Sequence, residues 1–324
     1  MIARDFNEWE KPLRELEEGL AKLQQRIERE RDPASKLEAE AALEELTRRR
    51  DNIVAATYSN LSPWEKVLVS RAPTRPYALD YISTIFGAYV ELQGDRRFGA
   101  DHAIIGGPTS LDGQPVLVVG HQKGRNIQER QLRNFGYARP EGYRKAIRLF
   151  DMAERFRLPV ITLVDTPGAD ASVEAESRGI SEAIAASIAK MFELTVPIVT
   201  VIIGEGGSGG AIGIAASNRV LMLEHSIYSV IAPEGCAAIL WRKAEMGPQA
   251  AQALRLTAES AKELGMVEEI VEEPWGGAQR DPAAAAAAVK LALMKHLAEL
   301  TKLKPEAVRD DRYERFRRIG VFSS

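Results

Sequence analysis

Apolar positions change their spacing along this chain, and the changes mark out its elements. Between residues 8 and 56, Leu13, Leu16, Leu20, Leu23 and Ile27 recur at alternating intervals of three and four among Glu, Arg and Ala. That is the seam of a coiled helix. Asp32-Pro33 interrupts it, because proline disfavours helical backbone at the residue before it. A second helix is expected from about Ser35 to Ala56, with Leu37, Leu43, Leu46 and Ile53 on one side. Residues 1–56 therefore read as a helical hairpin, either an arm that contacts another subunit or a hairpin folded back on its own domain. Residues 57–324 read as the main domain.

Beyond a proline-bearing connector, Tyr77 to Ile82 opens a helix that carries Phe86 and Tyr89. His102–Leu111 and Gln114–Gly120 are short apolar strands joined by Asp112-Gly113, a strong two-residue hairpin signal. Helical spacing follows from Pro140 to Arg157, then a buried strand from Pro159 to Val164 that ends in Asp165-Thr166-Pro167-Gly168-Ala169. A helix over about 176–193 precedes the apolar run Pro197–Ile203. Strands are expected at Val220–Leu223, Ile227–Ile231 and Met266–Val271, with helices from Pro233 to Trp241 and on to about Leu264. Asp281-Pro282 caps and starts an alanine-rich helix to about Leu300, and the charged tail after Pro305 is expected to be surface-bound or frayed. The alternation of strands and helices predicts an α/β fold.

The run Pro197–Ile203 leads into Gly204-Glu205-Gly206-Gly207-Ser208-Gly209-Gly210-Ala211, with five glycines in seven residues, and a helix expected over 212–217. Such a turn offers backbone N–H groups at the positive end of a helix. Several readings compete for it. Gly204, Gly206 and Gly209 satisfy G-x-G-x-x-G, with Glu224 placed as a ribose-binding acid, but the motif lies deep in the chain instead of opening its first βαβ unit. Gly206, Ser208 and Gly210 satisfy G-x-S-x-G, the nucleophile elbow of serine hydrolases, yet none of the four histidines has an evident acid partner. An oxyanion hole of backbone amides and a ligand-free close-packed turn remain. No Gly-Lys-Ser/Thr follows, which excludes a P-loop.

Composition narrows the class without choosing among these. Apolar and charged contents of 45% and 27% suit a globular protein, and a net charge of −3 gives no general pull towards nucleic acid or anionic membrane. No apolar run approaches the roughly 18 residues of a membrane span. Met1 to Glu10 lacks an apolar core, so no export signal is expected and a cytoplasmic protein is. The single cysteine, Cys236, rules out an internal disulfide or a cysteine-rich zinc site within the chain.

Several stretches together carry a resemblance. They are Arg75–Tyr81, Gly120-His121-Gln122-Lys123-Gly124-Arg125, Pro140–Ala146, Asp165–Ala169, Val201–Ala211, Tyr228–Ala237 and Pro274–Ala278. In this order they resemble the alpha subunits of the carboxyltransferase of bacterial-type, multi-subunit acetyl-CoA carboxylase. Asp170-Ala171-Ser172-Val173-Glu174 departs from the family's usual pattern, being polar and without glycine. The resemblance implies a crotonase-like (ClpP/crotonase) fold of repeated ββα units. It implies transfer of a carboxyl group from carboxybiotin, tethered to the biotin carboxyl carrier protein, to acetyl-CoA, giving malonyl-CoA in the first committed step of fatty acid synthesis. ATP would be used only by the separate biotin carboxylase component. The partner would be a beta subunit, which carries the zinc ribbon, in an α2β2 assembly; no metal is expected in this chain.

By the same resemblance, Gly209 and Gly210 supply amides to the biotin oxygen that gains negative charge, and Gly206, Gly207 and Ser208 complete that turn. Asp165, Gly168 and Ala169 close a strand at the same sheet edge and read either as a wall of the biotin pocket or as a purely structural turn. From the residues themselves, Lys123, Arg125 and Arg144, with Lys145 and Arg148 beside them, read either as a solvated basic face or as candidates for phosphates of coenzyme A or the carrier. The non-catalytic alternative is a scaffold that only holds the beta subunit.

Overall fold

The computed structural model describes residues 8–320, so residues 1–7 of the segment read for an export signal lie outside the described residues. Helices α1 (Lys11–Arg29) and α2 (Pro33–Tyr58) pack side by side. Asp32 stands where the spacing breaks and caps α2, its Oδ2 accepting the Ser35 N–H at 2.9 Å. The base of the pair is seated on the rest of the chain. Leu13, Val54 and Tyr58 pack with Val69 of α3 (Pro63–Ser70), and Arg280 pairs with Glu10 and Glu17. The far end projects, with Leu37 69% exposed.

After α4 (Ala78–Ile85), strands β1 (Ile104–Leu111) and β2 (Gln114–His121) form the antiparallel hairpin. Asp112 and Gly113 both take positive φ, as a tight two-residue turn demands. All later pairings between the named strands are parallel. Helices α5 (Ile127–Leu132) and α6 (Pro140–Phe156) lead to β3 (Val160–Thr166). Helices α7 (Val173–Ser177) and α8 (Ile180–Glu193) lead to β4 (Ile198–Gly207). Helix α9 (Ser208–Ile212) leads to β5 (Arg219–Leu223) and β6 (Ile227–Ser229). Helices α10 (Pro233–Trp241), α11 (Gly247–Leu254) and α12 (Ala258–Glu263) precede β7 (Glu269–Val271). Helices α13 (Pro282–Leu300) and α14 (Pro305–Arg317) follow it.

The sheet order is β1-β2-β3-β4-β5-β7, with β6 also on β4. β5 lies along Val199–Ile202 of β4 and β6 along Glu205–Gly207, so the two make one interrupted neighbour of a single long strand. Alternate residues of β3 and β4 enter opposite cores: Val160, Val164, Ile198 and Ile202 meet α6 and α8, while Ile161, Leu163, Val199 and Val201 meet α4 and α13. Both strands are therefore apolar at nearly every position. Among the described residues no helix is long and apolar enough to cross a membrane.

Several boundaries differ from the sequence expectation for local reasons. The expected 176–193 helix is broken at Gly179, which adopts φ +79°, and α7 has its own cap, the Ser172 Oγ accepting the Ala175 N–H. The segment expected to reach Leu264 is likewise two helices, divided at Arg255 (φ +51°), with Thr257 capping the second. The strand expected over 266–271 is confined to Glu269–Val271. After the glycines the helix is Ser208–Ile212, not 212–217, because the strand runs on through Gly207 and the last glycines themselves form the first helical turn. Among the described residues the charged tail is not frayed. Arg312 of α14 is 0% exposed and donates to the carbonyls of Met191, Leu194 and Val196 and to Asn218 Oδ1, closing the end of α8.

Candidate functional site

The site forms where β3 and β4 end side by side. Val164 pairs with Ile202, but Thr166 pairs with Gly206, so β4 carries more residues than β3 across that interval. This bulge bends the end of β4 away from simple pairing. Asp165 fills it: Oδ1 accepts the Glu205 N–H at 2.9 Å, and a side chain on Gly204 would overlap the Asp165 carboxylate.

Beyond the bulge each strand delivers a backbone segment. From β3 comes Pro167-Gly168-Ala169, steadied by the Gly168 N–H on Thr166 Oγ1 (3.1 Å) and the Asp170 N–H on the Ala138 carbonyl (2.9 Å). From β4 comes α9, entered through Ser208 in left-handed backbone (φ +49°) with no side-chain cap at Gly207. The N–H groups of the first turn, Ser208, Gly209 and Gly210, have no partner within the helix by its geometry. The two segments lie backbone to backbone. A Cβ at Gly210 would stand 2.5 Å from the Gly168 carbonyl carbon and 2.7 Å from Ala169 N, and one at Gly207 would overlap the Pro167 carbonyl. Gly209 differs: its Cβ would meet only Ile184 Cδ1, at 3.5 Å.

Gly209 opens on a cleft of about 830 Å³. Of the residues singled out in the sequence, Gly168, Ala169, Ser208 and Gly209 line it together. Gly206 and Gly207 sit behind it in the sheet, and Gly210 is buried against the opposite loop. The polar stretch Asp170–Val173 also lines it, shaped by Asp170 Oδ1, which accepts the Ser172 N–H, and Oδ2, which accepts from Asn134. Sequence reasoning missed the apolar wall of Tyr137, Ile180, Ile184 and Val230–Ala232. Ile180 and Ile184 stand at helical spacing and Val230–Ala232 fall within the stretch Tyr228–Ala237, but neither signal pointed to a cleft wall.

Asp165 and the basic candidates are placed otherwise. Asp165 is buried beneath the cleft instead of walling it. Lys123 Nζ lies 2.8 Å from Asp165 Oδ1 and 2.8 Å from Glu205 Oε2, and Arg71 Nε reaches Glu205 Oε1 at 2.6 Å. Arg125 pairs with Asp80, donates to the Pro73 carbonyl at 3.0 Å and stacks over Tyr77. Arg144 donates to the Arg178 carbonyl at 2.5 Å on a separate groove that also holds Arg148, and the Lys145 ammonium is buried on the Asp101 carbonyl. These cations pair with the fold's own carboxylates or donate to its carbonyls, and none of them lines the cleft.

Burial alone would raise the Glu205 carboxyl, but the Lys123 ammonium and Arg71 guanidinium hold it at about 2. Glu273, buried against Arg75, is likewise held at about 2 against its burial. Both carboxyls are more acidic folded than at their ordinary value of 4.5. Their contribution to stability is therefore full above pH 4.5 and is lost as pH falls towards 2. Urea-unfolding midpoints are expected to drop steeply across that interval, and a Glu273→Gln variant is expected to show a shallower drop. An equal slope in both proteins contradicts the assignment.

His121 is pushed down to about 3 by burial, with the Lys123 ammonium adding to the effect, so it is neutral at physiological pH. Among the described residues no histidine lines the cleft. Ser208 has the strained strand-to-helix setting of an elbow nucleophile, but among the described residues no histidine is hydrogen-bonded to it to act as its base. The arrangement offers fixed amides to a developing oxyanion.

Comparison with known proteins bears on the family and the fold. The family model "Acetyl co-enzyme A carboxylase carboxyltransferase-like" matches residues 6–320. The acetyl-coenzyme A carboxylase carboxyl transferase subunit alpha of Geobacter metallireducens is 52% identical over 98% of both chains. That of Paracoccus denitrificans is 52% identical over 97% of this chain and 98% of its own. Among solved structures, a Pseudomonas malonate decarboxylase hetero-tetramer in complex with coenzyme A matches with a TM-score of 0.57 at 18% identity, covering 68% of this chain and 87% of that one. The transcarboxylase 12S hexamer core matches with a TM-score of 0.53 at 21% identity, covering 66% and 41%. At such identities these two speak for the fold alone, which is the crotonase-like α/β fold expected from the sequence.

Proposed function

The chain belongs to the family of acetyl-CoA carboxylase carboxyltransferase alpha subunits, and on that premise we propose that its cleft is the carboxyl-donor half of a shared active site. The reaction is carboxyl transfer to acetyl-CoA. Carboxybiotin, carried on the biotin carboxyl carrier protein, supplies the carboxyl group. The residues present suit such a donor: an uncapped helix start, a glycine without a covering side chain and an apolar wall leave room for a flat polar ring.

The observation that carries this reading is the first turn of α9, whose Gly209 opens on the cleft. Its amide, with that of Gly210 behind it, would donate to an oxygen that becomes negative as the carboxyl group leaves. Fixed donors of this kind need no reorganisation at the moment of reaction. Gly168 and Ala169 would hold the opposite edge, and Ser208 would set the backbone angle without acting as nucleophile. The reading requires no general base from this chain.

The substrate thioester and its enolate are assigned to the beta subunit, in an α2β2 complex in the cytoplasm. With Lys123, Arg125 and Arg144 committed to internal pairs, the chain is expected to meet coenzyme A weakly by itself. Assays of separate and mixed subunits test the shared site. Each alone is expected to be inactive and the mixture to form malonyl-CoA; transfer by either chain alone contradicts the reading.

A further inference from the structure

We propose that Lys123 is a positioning residue for carboxyl transfer, tying the ends of β3 and β4 together across the bulge and so fixing the spacing of the two amide-bearing segments. The inference rests on the carboxyltransferase reading and adds to it. Lys123 stands just past the end of β2, the neighbour of β3, and its ammonium bridges Asp165 and Glu205 at 2.8 Å each. Its side chain is 14% exposed and the two carboxylates are nearly buried. Asp165 is three residues before Gly168, and Glu205 is three residues before Ser208. The levers are short, so a change in the distance between the carboxylates reaches Gly168 and Gly209 directly.

Two buried carboxylates this close do not both stay ionised unless a cation lies between them. Arg71 occupies the other oxygen of Glu205 and is itself engaged by Glu234 at 2.5 Å. Lys123 also touches the second loop: a Cβ on Gly136 would stand 2.9 Å from Lys123 Cγ, and the Gly136 carbonyl accepts from Thr166 Oγ1 at 2.7 Å. One side chain thus contacts the bulge and the support of Pro167–Ala169. The other groups whose charge reaches this cluster are Arg75, Tyr77 and Tyr81, near Asp165, and His121, near Lys123.

The test uses the complex reconstituted with the beta subunit, with kcat and the KM for acetyl-CoA measured between pH 6 and 8. Lys123→Met is expected to lower kcat at pH 8 by about a hundred-fold, the cost of a misplacement of about 1 Å, with KM nearly unchanged. The loss is expected to shrink towards pH 6, because a proton shared by the two carboxylates replaces the missing cation. Lys123→Met/Glu205→Gln, which removes one anion as well, is expected to restore most of kcat at pH 8 and to abolish the pH dependence. Lys123→Arg is expected to keep most of the activity.

Near-normal kcat in Lys123→Met overturns the proposal. So does a pH-independent loss that Glu205→Gln does not relieve. A recovery at low pH that persists in the double variant comes from a group outside the Asp165–Glu205 pair and overturns it as well. If Lys123→Met does not assemble, the double variant decides alone: restored kcat supports the proposal and a hundred-fold loss defeats it. Gly209→Val, run in parallel, separates the two levels. Its full activity would defeat the cleft reading, whereas its loss beside an unaffected Lys123→Met removes only this inference.

Discussion

Replacing Gly209 by valine is expected to reduce carboxyl transfer by about a hundred- to a thousand-fold, the cost of losing one oxyanion donor, while the protein unfolds at close to its normal temperature. The two halves of this expectation have separate grounds. Gly209 lines the cleft at the start of α9, where its N–H has no helical partner. A valine there would place two methyl groups over that N–H and beside Ile184. The fold tolerates the change because the added Cβ meets nothing nearer than 3.5 Å. Gly210 behaves differently. The resemblance gives both glycines the same role, but at Gly210 the Cβ would press on the Gly168–Ala169 backbone at 2.5 and 2.7 Å. Gly210→Val is therefore expected to lower stability as well as activity. Rates with the assembled complex, alongside thermal unfolding of each variant, check both statements. Gly209→Val with an undiminished rate would remove the amide from the mechanism.

The largest expected loss of stability comes from Arg75→Met, about 3–5 kcal/mol, as for other buried ion pairs broken by removing one partner. Arg75 is 1% exposed. Its guanidinium holds both oxygens of Glu273, at 2.8 and 2.5 Å, and its Nε donates to the Ile203 carbonyl at 2.8 Å. Glu273 also accepts the N–H groups of His225 (2.9 Å) and Ala278 (2.6 Å), so an unpaired charge there cannot turn towards water. The pair joins the segment after β7 to β4 just before the bulge. Methionine fills most of the volume and isolates the charge effect. Arg75→Met/Glu273→Gln is expected to regain a good part of the loss, since it removes the stranded carboxylate. Urea midpoints measure all three proteins. A double variant no better than Arg75→Met would place the cost in packing instead of charge.

Much of the fold was legible because local chemistry and tertiary packing agree. Asp112-Gly113 gives its hairpin in any context, Asp32 and Asp281 cap the helices that follow them, and the apolar runs at 160–164 and 198–203 mark strands buried on both faces. The glycine run was legible as a strand-to-helix turn. Its boundaries were misplaced, since glycine carries no periodic signal to say where the strand stops.

Taken alone, the sequence determined the order of elements, the α/β class, the family resemblance and the stretch of backbone on which the chemistry is proposed. Only the tertiary structure decided which glycine of that stretch is open. Gly207 and Gly210 are closed by Pro167–Ala169, about forty positions earlier in the chain, and Gly209 is left facing the cleft. It likewise turned Lys123 from a candidate phosphate ligand into the link between Asp165 and Glu205, and the charged tail into the buried cap made by Arg312. Spacing along a chain reports dihedral preference and which face is buried. Whether an amide or an ammonium still has a free bond to offer depends on groups brought to it from elsewhere.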